Sequence, residues 1–143
     1  MNSVLNQLWM LAPVITLGLL AGCGSSDGIE LFPVDGELKV NGQPLAGAQI
    51  VFHPHQSPGD VPPARAQTDA SGKFKLTTLD THDGAPAGMY SVTVQYYPLV
   101  QQQDEFVAGR NVLPPKYASP ATTDLKVEVA KGRNSLGALE VKR

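Results

Sequence analysis

A handful of side chains in this sequence are of types that do chemistry. Cys23 is the sole thiol. His53 and His55 are two residues apart, so on an extended strand both imidazoles share one face, as two metal ligands would. Pro54 stands between them, and a third ligand has to come from afar, with His82 and Asp83 the candidates. Two surface histidines at a strand end is the simpler reading, because no complete ligand set is visible. Asp69, Asp80 and Asp83 are of the right type for calcium. Yet Asp69-Ala-Ser-Gly-Lys lacks oxygen donors at the alternate positions a calcium loop uses, and Asp and Gly are the default turn formers. Tyr96-Tyr97 offers two rings for stacking on sugars, but neighbours on a strand face opposite ways, which favours core and edge packing. Lys73 and Lys75 read as protection of a solvent face or sheet edge rather than as anion ligands. Gly-x-Ser-x-Gly, phosphate-loop and His-Glu-x-x-His patterns are absent. No catalytic or metal residue and no cofactor is therefore assigned, and the expectation is a protein that is not an enzyme.

Composition narrows the elements that position these residues. The chain has 143 residues, enough for one domain. Its 14 Gly and 12 Pro exceed average usage and favour short strands joined by turns over a helical bundle. With 11 basic and 13 acidic side chains the net charge is −2, so there is no basic field to hold nucleic acid. One cysteine excludes an intramolecular disulfide framework.

The charges are unevenly placed: all of them lie at or after Asp27. Before them, Leu8 to Leu20 is a nearly unbroken apolar run. As a helix at ~1.5 Å per residue it spans only about 20 Å, against a hydrocarbon core ~30 Å thick. That is short for a permanent transmembrane helix and suits the core of a signal peptide, helical over 5–20. The run closes on Leu20-Ala21-Gly22-Cys23, and Gly24-Ser25-Ser26-Asp27-Gly28 follows. This tetrad resembles the lipobox of bacterial lipoproteins. The resemblance implies that the Cys23 thiol is joined to diacylglycerol, that a peptidase cuts before Cys23, and that the new amino terminus is acylated. The small Ala21 and Gly22 suit an extended chain in a peptidase cleft, and a thiol is a good nucleophile at a membrane surface. Two or more acyl chains make a firm anchor at ~0.8 kcal/mol per buried CH₂. The n-region departs from the pattern in lacking Lys or Arg. Residue 24 is Gly rather than Asp, which in such lipoproteins leans toward the outer membrane.

After residue 30 the recurring signal is alternation, not a helical period. Seven stretches show it, around Val34–Val40, Ala48–His53, Ala64–Gln67, Lys73–Thr77, Tyr90–Tyr96, Leu125–Val129 and Leu139–Lys142, with Gly137 a candidate bulge. Each strand has one apolar face, and such faces cover one another in a two-sheet antiparallel sandwich. The segment from Pro98 to Thr122 reads as one long loop, with Leu113 and Tyr117 packed onto the sandwich edge.

Three stretches then line up in order: Val34 to Phe52 with its Asn41-Gly42 turn, Thr68-Asp69-Ala70-Ser71-Gly72-Lys73-Phe74, and Ala87-Gly88-Met89-Tyr90-Ser91-Val92-Thr93-Val94. Together they resemble carboxypeptidase regulatory-like domains, whose fold is a transthyretin-like sandwich. The resemblance covers about residues 33–143, including Leu113-Pro114-Pro115-Lys116-Tyr117. It implies an all-β, seven-stranded, Ig-like or transthyretin-like sandwich with Greek-key connections. Hydroxyisourate hydrolases of the transthyretin-like family end in Tyr-Arg-Gly-Ser, which Leu139-Glu140-Val141-Lys142-Arg143 does not match.

The expected organisation is a signal peptide over 1–22, a flexible tether over 23–32 and one sandwich over 33–143. The expected function is a lipoprotein held in the cell membrane or outer membrane through acylated Cys23. Facing the periplasm or exterior, it serves as a non-enzymatic interaction or structural module for an envelope protein or glycan. The alternatives are a transthyretin-like small-ligand carrier or hydrolase, and a carbohydrate-binding module.

Overall fold

The computed structural model describes residues 28–57 and 59–143. The apolar run, the helix expected over 5–20 and Cys23 lie outside the described residues. Within them the chain is an all-β sandwich. Its strands are β1 (Val34–Val40), β2 (Gln43–Pro44), β3 (Gln49–Pro54), β4 (Ala64–Gln67), β5 (Lys73–Lys75), β6 (Gly88–Gln95), β7 (Leu99–Gln102), β8 (Glu105–Ala108), β9 (Lys126–Val129) and β10 (Asn134–Val141). Among the described residues a 3₁₀ turn, Pro115–Ala118, is the one helical element.

One sheet runs β10-β1-β2, with β5 also paired to β1. The other runs β4-β3-β6-β9. All seven expected strands are present. The pairs are antiparallel with one difference from expectation: β1 and β10 are parallel, Val34 opposite Asn134 and Val40 opposite Val141. Alternation specifies which face is apolar but not which neighbour a strand takes, so this pairing has no local signature. The register slips by one between Asp35/Ser135 and Glu37/Ala138. The extra residue falls at Leu136-Gly137, the expected bulge.

Local chemistry explains the turns. Asn41 (φ 48°) and Gly42 (φ 80°) join β1 to β2 as a two-residue loop with both central residues left-handed, the pattern Asn-Gly favours. Gly36 faces a different demand: a Cβ there would lie 2.7 Å from Phe74 Cζ, so the ring of β5 can cross β1 only above a glycine.

The core lies between the sheets. Leu38, Phe74 and Val141 from one side meet Ile50, Phe52, Tyr90, Val92, Val94 and Val129 from the other. Phe52 stands 6.4 Å from Phe74 and 5.8 Å from Tyr90, both tilted, a favourable aromatic geometry. The phenol of Tyr90 donates to Pro86 O at 2.6 Å, and burial raises its pKa above the ordinary value. The sheets also join at one edge, where Arg65 and Thr77 exchange both backbone hydrogen bonds at 2.9 Å.

The segment after Pro98 departs from the loop reading. Leu113 and Tyr117 are buried, as expected, and the Tyr117 hydroxyl accepts the Lys142 N–H at 3.2 Å. Before them, however, β7 and β8 form a separate two-stranded sheet, Leu99 opposite Ala108 and Gln102 opposite Glu105. Gly109 N–H donates to Pro98 O at 2.8 Å and closes the base of this arm.

Candidate functional site

Three surfaces of the described residues bring chemically capable groups together. The first is the outer face of the β4-β3-β6-β9 sheet. Even-numbered core residues of β3 and β6 point inward, so His53, Ser91 and Thr93 share the outer face. His53 Nε2 and Thr93 Oγ1 share a hydrogen bond of 2.9 Å, and His55 Nε2 and Ser91 Oγ another of 2.9 Å. Lys126 of β9 donates its ammonium to the same Ser91 oxygen at 2.8 Å. Burial lowers the His53 pKa, which favours its neutral form. A serine hydroxyl between an imidazole and an ammonium has the contacts of an activated nucleophile. But Ser91 is only 5% exposed under those partners, so the hydroxyl is shielded from a substrate.

The expected face-sharing of His53 and His55 is therefore real, and hydroxyls of the neighbouring strand β6 take both Nε2 atoms. Among the described residues no group of three His, Cys, Asp or Glu is placed to hold a metal ion. The third ligand proposed from afar is not brought near: His82 lines a different cleft.

The turn aspartates are occupied by backbone. Asp69 Oδ1 accepts the N–H of Ser71 at 2.8 Å and of Lys73 at 3.0 Å. Asp83 takes three: Thr78 N–H on Oδ1 at 2.7 Å, and Leu79 and Asp80 N–H on Oδ2 at 2.9 and 2.6 Å. Partial burial raises the Asp83 pKa, but the backbone donors of Asp80, Thr78 and Leu79 outweigh it and leave the carboxyl below its ordinary value. Tyr96 packs against the core and Tyr97 is half-buried, so neither is a freely exposed ring.

The second surface is a cleft of about 580 Å³ where the two sheets meet. Lys73 and Lys75 come from β5, Asp35 and Gly36 from β1, Gln67 from the end of β4. His82 enters from the turn after β5 and Arg133 from the turn before β10. Asp35 is engaged: its Oδ2 accepts the Ser135 hydroxyl at 3.0 Å and its Oδ1 lies 3.6 Å from Arg133. Among the described residues neither Lys73 nor Lys75 has a carboxylate within ion-pair distance. The sequence reading of these lysines as solvent-facing holds in that both are exposed. It did not anticipate that Arg133, distant in the chain, lines the same cleft together with His82.

The third surface is the β7–β8 arm. Leu99 is 70% exposed, Phe106 69% and Val100 39%. Leu99 and Phe106 lie on one face, because Phe106 is opposite Gln101 and so diagonal to Leu99. Each strand pairs only with the other, which leaves its outer edge open among the described residues.

No protein-family model matches the chain, and no curated protein matches it. Solved structures do. A crystal structure described as a putative carbohydrate binding protein from Pseudomonas aeruginosa is 14% identical, with a TM-score of 0.43, over 80% of this chain and 90% of that one. A DUF3823 family protein from Parabacteroides merdae is 13% identical, with a TM-score of 0.43, over 80% and 46%. A 9R-lipoxygenase from Cyanothece is 17% identical, with a TM-score of 0.39, over 81% of this chain and 17% of the lipoxygenase.

Proposed function

We propose that this chain is a lipid-anchored, extracytoplasmic interaction module without enzymatic activity. The Leu20-Ala21-Gly22-Cys23 tetrad after its apolar run supports the anchor, with acylated Cys23 seated in the cell membrane or outer membrane. The residues after Cys23 tether the sandwich on the periplasmic or exterior side. The observation that carries the interaction role is the β7–β8 arm, with Leu99 and Phe106 exposed on one face and both edges open. An isolated hairpin is marginal in water. One that holds apolar side chains away from its own domain is suited to gain a third strand and a covering surface from a protein partner.

Two measurements test this. Cys23→Ala abolishes incorporation of labelled palmitate and releases the protein from the membrane fraction; unchanged labelling ends the lipoprotein reading. A photo-crosslinker at position 106 in cells yields discrete protein adducts that Leu99→Ser removes. Absence of adducts from a correctly localised protein overturns the interaction role of the arm.

A further inference from the structure

We infer that the cleft between β5 and the 131–135 turn is a binding site for a carboxylate-bearing oligosaccharide, of the uronic-acid class. This goes beyond the arm and the anchor and rests on neither. In a chain of net charge −2, the cleft gathers Lys73, Lys75, Arg133 and His82. Its acids are partly engaged: Asp69 Oδ1 with two backbone N–H groups, Asp35 with Ser135 and Arg133. Lys73 and Lys75 lie on the same face of one short strand, opposite Glu37 and Asp35 of β1, yet neither has a carboxylate within ion-pair distance among the described residues, so both ammoniums are open to a ligand anion.

The remaining lining decides which anion. Asp35 and Asp69 keep acceptor capacity in the same cleft, and Gln67 and Thr77 add uncharged polar groups. Two carboxylates beside the lysines disfavour a densely charged phosphate chain. They suit a ligand that offers one carboxylate per unit together with hydroxyls able to donate to them. A cleft of about 580 Å³ falls within the usual ligand range of roughly 300–1,000 Å³. His82 is held at the rim in a left-handed conformation (φ 60°), its N–H donating to Thr77 Oγ1 at 3.0 Å.

The test uses the full-length protein purified in detergent. Calorimetric titration with tetragalacturonate, maltotetraose and inorganic phosphate separates the ligand classes. Tetragalacturonate binds, more weakly as salt rises, and maltotetraose and phosphate do not compete. Each of Lys73→Ala and Lys75→Ala weakens binding about tenfold, as expected for one lost charge-assisted hydrogen bond, and Lys73→Arg restores most of it. Phe106→Ser leaves binding unchanged, which separates this site from the arm. No heat with tetragalacturonate overturns the proposal. So does equal binding of maltotetraose, displacement by phosphate, or binding indifferent to both lysine substitutions.

Discussion

Phe52 and Phe106 both belong to antiparallel strand pairs, and their fates are opposite. Phe52, in the β3–β6 pair, is fully buried between two other rings. Phe106, in the β7–β8 pair, is 69% exposed. The ladders themselves are alike, each in continuous register. The difference is what stands opposite the face. Behind β3–β6 is a second sheet carrying Leu38, Phe74 and Val141; the arm is a sheet of its own. Backbone pairing makes a ribbon, and only a facing layer turns its side chains into stability.

The largest effect separates the two phenylalanines. Phe52→Ala costs about 3–5 kcal/mol of unfolding free energy, transfer and cavity terms together. Phe106→Ser stays within ~0.5 kcal/mol, as surface substitutions do. Urea unfolding of both variants measures this. A loss at Phe106 comparable to that at Phe52 would mean that the arm is packed, and the comparison would collapse.

Two glycines sharpen it at the next level. Gly36→Ala drives a methyl to 2.7 Å from Phe74 Cζ, and overpacking of this kind costs about 1–3 kcal/mol of global stability. Gly109→Ala places a methyl 2.9 Å from Pro98 O and so pries at the base of the arm. The global midpoint hardly moves, because the arm contributes little to it, while amide protection in 99–108 is lost. Hydrogen exchange on the unmodified protein shows the same division beforehand. The β3 and β6 amides exchange through global unfolding, and those of β7 and β8 through cheap local opening. Equal protection in the two regions would merge them into one cooperative unit.

The sequence made the sandwich legible because its strands alternate cleanly: Ile50 and Phe52 inward, Val51 and His53 outward, and likewise Val92 and Val94 against Ser91 and Thr93. It also revealed the Asn41-Gly42 hairpin and the bulge at Gly137, where residue type and backbone demand coincide. The arm was missed for the same physical reason that leaves it exposed. Leu99-Val100-Gln101-Gln102-Gln103 has no inward-outward alternation, since no core faces it, and flanking prolines read as loop. The candidate sites were half legible. Placing His53 and His55 on one face follows from spacing alone. Their partners Thr93 and Ser91 are 40 and 36 residues away, and the basic cleft depends on Arg133 arriving beside Asp35 through a parallel pairing that no local pattern announces.

The smallest expected effect concerns His53. Burial lowers its folded pKa below the unfolded value of about 6.5. Above that pH both states carry a neutral ring, so the shift contributes nothing. As pH falls below it, the unfolded chain takes up the proton first and stability declines until the folded ring is also protonated. Asp83 does not confuse this window: its lowered carboxyl pKa contributes stability that is lost only as pH drops below the ordinary carboxylate range. Melting temperature measured from about pH 7.5 to 5.5 therefore falls more steeply in the native protein than in His53→Gln, where an amide can still bond to Thr93 without titrating. The arm, which holds no histidine, should show the same exchange protection at both ends of this range. A loss confined to β7–β8 would assign the pH response to the wrong region, and parallel melting profiles for the two proteins would remove His53 from it altogether.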